Sequence, residues 1–100
     1  MKRIYLAGPM TGLPAFNYPA FNAAAAELRS LGYRVENPAE LPVQASWSDY
    51  MREALKLLIK CEEIFLLKGW QFSAGAVLEH TIALKLGMPV TFWCAENPLT

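Results

Sequence analysis

The residue best suited to chemistry is an acid placed on the apolar side of a predicted helix. At about 100° per residue from position 76, Glu79 falls at about 300°, between Leu86 and Ala83. Burying an unpaired carboxylate is costly, so this position needs a partner or a function. Two interpretations stay open. Glu79 is held by a buried donor or an oligomer interface, or it faces a ligand cleft with a raised pKa and meets a ligand hydroxyl or sugar carbon.

The same predicted helix carries further candidates. It opens with Ser73-Ala74-Gly75, where free N–H groups and the helix dipole suit an anion and the glycine allows a ligand to approach closely. Capping explains Ser73 equally well. His80 also lies on the apolar side, where the pattern is compatible with a packed histidine, an interface histidine or a catalytic one.

Two loops could complete a site beside Glu79. The sequence Gly8-Pro9-Met10-Thr11-Gly12 is glycine-rich and follows the first predicted strand, but it has neither dinucleotide-binding nor P-loop spacing. Trp70 and Phe72 could stack on a nucleobase, anchor their loop or lie at an interface. Tyr5, inside the first strand, either packs in the core or brings its hydroxyl to the cleft.

Alternating strands and helices must position these residues. Apolar runs predict strands at Arg3–Ala7, Tyr33–Glu36, Glu63–Leu67 and Val90–Trp93. Caps and stop signals predict three helices: about Tyr18 to Leu31, capped by Asn17; Ser46 to about Lys60; and Ser73 to Leu86. Gly32 and Gly87 follow the ends of the first and third helices. The proline-containing loop Asn37–Trp47 is either a surface detour or functional.

This alternation predicts one α/β domain over residues 1–100: a three-layer, flavodoxin-like parallel sheet of about four strands, in the order 2-1-3-4, with helices on both faces. In that order the carboxyl ends of strands 1 and 3 form the switch point, where the loops after Ala7 and from Lys68 to Gly75 meet. The predicted buried helix faces hold Phe21, Ala24, Leu28 and Leu31 in the first helix, and Met51, Leu55, Leu58 and Ile59 in the second.

Composition narrows the function. Nine basic and nine acidic residues balance to a net charge of zero, which disfavours polymeric nucleic acid or an anionic membrane and favours a small-molecule ligand. A chain of 100 residues with 54% apolar residues, three Trp and five Phe leaves much surface exposed. We therefore expect a homo-oligomer, a dimer or larger.

Location and cofactors follow by elimination. The apolar run after Met1-Lys2-Arg3 is too short for a signal peptide, and no stretch reaches the roughly 20 apolar residues of a membrane span. We expect a cytoplasmic protein. Cys61 and Cys94 lack metal-site spacing, so we expect reduced, packed thiols, with no metal and no cofactor.

Several motifs together resemble the nucleoside 2-deoxyribosyltransferase-like superfamily. They are the opening Ile4–Gly12, the stretch Ser73–Glu79, and Ala83 followed by Gly87-Met88-Pro89-Val90. Pro19-Ala20-Phe21-Asn22, Asn37-Pro38 and Leu67-Lys68-Gly69-Trp70 resemble its DUF4406 branch. The resemblance covers nearly the whole chain.

The resemblance implies a flavodoxin-like core that cleaves or transfers N-glycosidic bonds of deoxyribonucleosides or nucleoside 5′-monophosphates. It implies that Glu79 is the nucleophile that attacks the anomeric carbon and that Tyr5 is the tyrosine near it. Ser73 matches a serine that holds the 5′-phosphate in the monophosphate hydrolases, where the transferases carry an acid.

The sequence also departs from the superfamily. Ala54, with Glu53 beside it, stands where the superfamily commonly has an aspartate in the helix before strand 3. Glu62 replaces the aspartate that usually opens strand 3. Lys68 stands where the branch often has proline. Leaving-base protonation or orientation of the nucleophile is therefore unassigned, with Asp49, Glu53 or a partner subunit as candidates. Three hypotheses remain: an enzyme, a non-catalytic nucleotide-binding module, or an oligomeric scaffold with Glu79 and His80 in a polar interface.

Overall fold

The computed structural model describes residues 2–93, which alternate between strands and helices. The strands are β1 (Arg3–Ala7), β2 (Arg34–Glu36), β3 (Glu63–Leu67) and β4 (Val90–Trp93). The helices are α1 (Tyr18–Ser30), α2 (Trp47–Ile59) and α3 (Ala74–Lys85), and single 3₁₀ turns occupy Pro14–Asn17, Pro38–Glu40 and Trp70–Phe72. The bounds of β1, β3 and β4 are those predicted, and the ends of the other elements differ by at most one residue.

The four strands form one parallel sheet in the order β2-β1-β3-β4. Ile4 is in register with Val35 on one side and with Glu63 on the other, and Ile64 is in register with Val90. This confirms the predicted sheet order. The carboxyl ends of β1 and β3 therefore lie side by side, as a switch point requires.

The sheet separates two apolar layers. Ile4 and Leu6 pack on the α1 side, whereas Tyr5 and Ala7 pack on the side that α2 and α3 cover. This division follows from the alternation of side chains along a strand. It directs Tyr5 toward α3, which is the helix that carries Glu79.

Side-chain caps fix where two of the helices begin. Ser46 Oγ accepts a hydrogen bond from the Asp49 N–H (3.1 Å), and Ser73 Oγ accepts one from the Ala76 N–H (3.2 Å). The predicted cap at Asn17 is wrong. Asn17 is in the left-handed region (φ 59°) and its Nδ2 donates to the Pro9 carbonyl (3.0 Å), so the backbone turn directs its side chain toward the loop after β1.

Two predicted core residues are exposed. Leu31 and Ile59 have 66% and 63% of their surface exposed, although Phe21 and Leu28 of α1 are buried as predicted. Leu31 follows the last residue of α1, where the chain turns away at Gly32, and Ile59 is about 100° around the helix from the buried Leu58. The buried face of α2 is therefore narrower than its apolar residues suggest.

The remaining chemical expectations concern thiols, metals and membranes. Cys61 is free and buried, its thiol donates to the Leu57 carbonyl (3.3 Å), and burial raises its pKa to about 12. Cys94 lies outside the described residues. Between residues 2 and 93, no group of three His, Cys, Asp or Glu residues could hold a metal ion. No helix in that range has the length and apolar character that crossing a bilayer needs.

The burial of α2 gives a test with two adjacent residues. We expect Leu58→Ala to lower the free energy of unfolding by about 2–5 kcal/mol, because removing this fully buried side chain leaves a cavity. Ile59→Ala is the matched control and should cost less than about 1 kcal/mol. Urea unfolding followed by circular dichroism measures both, and equal losses would contradict this assignment of the helix face.

Candidate functional site

A cavity of about 410 Å³ opens beside the carboxyl ends of β1 and β3. Its walls come from the loop after β1, the start of α1, the loop before α2, and the facing sides of α2 and α3. It lies at the predicted switch point. The lining includes Gly8, Met10, Phe16, Tyr18, Trp47, Tyr50, Ala54, Ser73, Gly75 and Glu79.

Glu79 joins this cavity to the core of the sheet. It lies on the buried face of α3 with Ala76 and Ala83, and only 5% of its surface is exposed. Its Oε2 accepts a hydrogen bond from the hydroxyl of Tyr5, which is fully buried in β1. The buried acid therefore has both features that the sequence left as alternatives: a buried donor and a place on a cleft.

Burial controls the protonation of this pair. Desolvation raises the pKa of Glu79 to about 8, although the hydrogen bond from Tyr5 acts in the opposite direction. The pKa of Tyr5 is raised well above its usual value by burial and by the neighbouring Glu79. Glu79 is thus a carboxyl group that changes charge near neutral pH, which suits proton transfer or nucleophilic attack.

Aromatic side chains form much of the remaining wall. Phe16, Tyr18, Trp47 and Tyr50 all line the cavity. The Tyr50 hydroxyl donates to the Pro38 carbonyl (2.9 Å) and lies 3.5 Å from the Tyr18 hydroxyl. Burial and the hydrogen bond with Tyr18 raise the pKa of Tyr50.

These four aromatic residues were not predicted to belong to the site. The one relevant signal in the sequence was the length of the loop Asn37–Trp47, because residues 43–47 of that loop line the cavity. Tyr18 and Tyr50 gave no signal of their own. An aromatic residue in the first turn of a helix is compatible with packing. The two hydroxyls meet because α1 and α2, on opposite faces of the sheet, both begin near its carboxyl edge.

Several predicted site residues do meet at the cavity. Gly8, Met10, Ser73 and Gly75 line it together with Glu79. The glycines permit close approach: a Cβ at position 8 would lie 2.9 Å from Leu67 Cβ, and one at position 75 would lie 3.1 Å from Met51 Sδ. The glycines therefore let the loop after β1 pack on β3 and the start of α3 pack on α2.

Two predicted residues of the glycine-rich loop lie elsewhere. Pro9 lines a separate groove with Leu67 and Gly69 instead of the cavity. Gly12 is exposed in a turn with a positive φ of 84°, and a Cβ at this position would have no neighbouring atom within 4 Å. The loop thus presents Gly8, Met10 and Thr11 to the cavity, whereas Pro9 and Gly12 lie outside its lining.

Trp70 and His80 form a separate contact. Their ring centroids are 4.6 Å apart, and the ring of Trp70 also lies 6.2 Å from that of Phe92 on β4. Neither residue lines the cavity. His80 follows Glu79 by about 100° around the helix, so it faces the 3₁₀ turn at Trp70–Phe72, and Trp70 anchors that turn.

The two predicted accessory acids also lie outside the cavity lining. Asp49 is exposed in the first turn of α2, and Glu53 pairs with Lys56 (2.9 Å). Ala54, by contrast, is buried and lines the cavity. The helix thus presents a methyl group, not a carboxylate, to the site.

This fold has counterparts among solved structures. The fold is nucleoside 2-deoxyribosyltransferase-like. A solved 2-desoxiribosyltransferase from Leishmania mexicana matches with a TM-score of 0.74 at 18% identity, over 93% of this chain. A solved 2-deoxyribosyltransferase from Bacillus psychrosaccharolyticus matches with a TM-score of 0.72 at 24% identity, over 90% of this chain.

The family assignment comes from the sequence. Residues 2–92 match the family described as "Domain of unknown function (DUF4406)", and the chain belongs to that family. No curated protein gives a significant match. The chain spans 64% of the Leishmania protein and 70% of the Bacillus protein.

The raised pKa of Glu79 predicts a pH-dependent stability. Because folding favours the protonated carboxyl, the stability it provides is complete below about pH 4.5 and is lost as the pH rises through about 8. Glu79→Gln cannot ionise, so its free energy of unfolding should rise relative to that of the wild type across that window, by on the order of 5 kcal/mol. Urea unfolding of both proteins from pH 4 to 9 measures this, and a pH-independent difference would refute it.

The hydrogen bond from Tyr5 predicts a change in the titration of Glu79. Removing the hydroxyl in Tyr5→Phe removes the contact that lowers the pKa of Glu79, so this pKa should rise above about 8. Carbon-13 NMR of the Glu79 side-chain carboxyl follows the titration directly. Tyr50→Phe is the matched control, since its hydroxyl donates to Pro38, and an equal shift in both variants would argue against the assignment.

Proposed function

We propose that the protein cleaves or transfers the N-glycosidic bond of a nucleoside, a deoxynucleoside or one of their 5′-monophosphates, with Glu79 as the nucleophile. The observation that carries the proposal is the position of Glu79, which is buried, hydrogen-bonded by Tyr5 and part of the cavity wall. The likeness of the fold to 2-deoxyribosyltransferases supports it.

The chemistry suits a carboxylate of this kind. Glycosidic cleavage passes through a state like an oxocarbenium ion, and an adjacent carboxylate stabilises it or forms a covalent ester with the anomeric carbon. Water then hydrolyses the ester, or a second base accepts the sugar. Tyr5 orients the carboxylate, and its hydrogen bond favours the ionised form that attacks.

Binding groups for the rest of a nucleoside line the same cavity. Tyr18, Trp47 and Tyr50 offer aromatic faces for a base, and the hydroxyl of Ser73 and the backbone of Gly75 lie at the start of α3, where an anionic group is favoured. A 5′-phosphate would fit this end of the cavity. Small nucleosides or nucleotides are thus the proposed ligands.

The second candidate is a nucleotide-binding module without turnover. The buried Ala54 favours it, because α2 presents no acid to the cavity at the position where a leaving base would receive its proton. The scaffold hypothesis is less well supported, since Glu79 is hydrogen-bonded within its own chain and His80 packs on Trp70.

Three broader expectations stay predictions: one domain over residues 1–100, cytoplasmic localisation, and a homo-oligomer. Exposed apolar side chains support the last of these. Leu84 and Leu86 near the end of α3 are each 56% exposed, and Phe92 on the edge strand β4 is 64% exposed. Burial of such a surface would stabilise so small a chain.

The functional test is release of free base. Purified protein is incubated with deoxynucleosides and their 5′-monophosphates, with and without an acceptor base, and the products are separated by chromatography. We expect release that Glu79→Gln abolishes. Glu62→Gln is the matched control, because Glu62 is exposed and bonds to the Arg3 N–H at the amino ends of the strands.

The other outcomes separate the candidates. Thermal stabilisation by the same ligands without release supports the binding module. Neither release nor stabilisation, together with dissociation of an oligomer on Glu79→Ala, supports the scaffold. Release that survives Glu79→Gln would contradict the proposed nucleophile.

A further inference from the structure

The cavity combines a buried carboxyl group with several aromatic side chains. Glu79 lies in its wall, and Phe16, Tyr18, Trp47 and Tyr50 line the same space. Phe16 and Tyr18 are neighbours, with ring centroids 6.0 Å apart. Two thioethers, of Met10 and Met51, add soft, polarisable surface.

This combination has a distinct electrostatic preference. The face of an aromatic ring carries partial negative charge and attracts a cation within about 6 Å of its centroid. Among the cavity-lining residues in the described part of the chain, the ionisable side chains are Glu79, Tyr18 and Tyr50. Each of these is either neutral or negative, so the aromatic part of the lining favours a positively charged group, whereas the start of α3 favours an anionic one.

A cation in this position would also act on Glu79. Burial favours the protonated carboxyl, whereas a positive charge held nearby stabilises the ionised form and lowers its pKa. Binding of a cationic ligand would therefore generate the nucleophile. A neutral ligand would leave the carboxyl largely protonated at neutral pH.

We propose that the preferred substrates are N-glycosides whose base is a positively charged aromatic heterocycle, such as a pyridinium or an N7-alkylated purine. This inference rests on the proposed function, because it names the substrate class of the same site. The aromatic walls hold the charged ring, and Glu79 faces the sugar carbon to which it is attached.

The reaction balances without a second acid. A Glu79 carboxylate oxygen forms a bond to the anomeric carbon while the bond from that carbon to the ring nitrogen breaks. The electron pair passes to the ring nitrogen and cancels the positive charge, so the base leaves neutral and takes no proton. Water then attacks the anomeric carbon of the ester, giving the free sugar and protonated Glu79, which loses its proton to solvent.

A cationic base also makes Ala54 compatible with turnover. A neutral base leaves as an anion unless an acid protonates it, and Asp49 and Glu53 lie outside the cavity lining. A cationic base needs no such acid. The small, apolar methyl group of Ala54 then leaves space for the charged ring beside the carboxylate.

Two matched pairs of substrates test the proposal with the intact protein. The first is nicotinamide riboside and its reduced dihydro form, which have nearly the same shape but differ in charge. The second is N7-methyl-2′-deoxyguanosine and 2′-deoxyguanosine. Free base is quantified by chromatography, spontaneous release is subtracted, and Glu79→Gln serves as the inactive control.

We expect kcat/KM to be at least about tenfold higher for the cationic member of one or both pairs. The pair that shows this difference identifies whether the preferred base is a pyridinium or a purine. Equal rates, or faster release from the neutral members, would overturn the inference and leave the proposed function standing. No release from any of the four compounds would overturn the inference, and the proposed function is then decided by the broader panel of deoxynucleosides and 5′-monophosphates.

Two variants of one wall residue provide a second readout. Trp47→Leu removes an aromatic face, so it should reduce kcat/KM for the cationic substrate by roughly threefold to tenfold, while the neutral partner changes less. Trp47→Phe keeps a face and should restore most of the difference. If Trp47→Leu and Trp47→Phe change kcat/KM equally for both members of a pair, the cation preference does not come from the aromatic wall.

Discussion

One hydrogen bond connects the fold of this protein to its chemistry: the bond from the Tyr5 hydroxyl to the Glu79 carboxyl. Tyr5 is fixed in β1 by sheet pairing on both sides, and Glu79 is fixed in α3, so the bond spans the layer between sheet and helix. A carboxyl group this deeply buried would be costly without a donor. The hydrogen bond from Tyr5 offsets part of that cost, and burial still raises the pKa of Glu79 to about 8.

The rest of the cavity is built around that carboxyl group by elements distant in sequence. The loop after β1 brings Gly8 and Met10, and α2 with its preceding loop brings Trp47 and Tyr50. Three successive residues before α1, 15–17, adopt left-handed backbone conformations, which is unusual for residues other than glycine. This strained backbone lies beside the cavity, and strained backbone conformations are common at functional sites.

The similarity to solved deoxyribosyltransferases concerns the fold, and the lining of the cavity is described by this chain alone. At 18% and 24% identity, what is shared is the α/β architecture. It does not fix the groups that line the wall. Here an alanine faces the cavity from α2 and four aromatic residues line the cavity together with Glu79, so most of the wall is apolar and rich in aromatic faces.

The sequence by itself determined the element order, the parallel sheet and the burial of Glu79, because strand alternation, helix periodicity and caps are local signals that act over a few residues. It also indicated that Gly8, Ser73 and Gly75 would meet at strand ends. The family resemblance placed Tyr5 near Glu79, but only the tertiary structure decided that its hydroxyl donates to the carboxyl group, that Tyr18 and Tyr50 meet, and that Trp70 contacts His80 outside the cavity. Those contacts depend on how helices cross the sheet and on loop conformation, which no short-range pattern specifies.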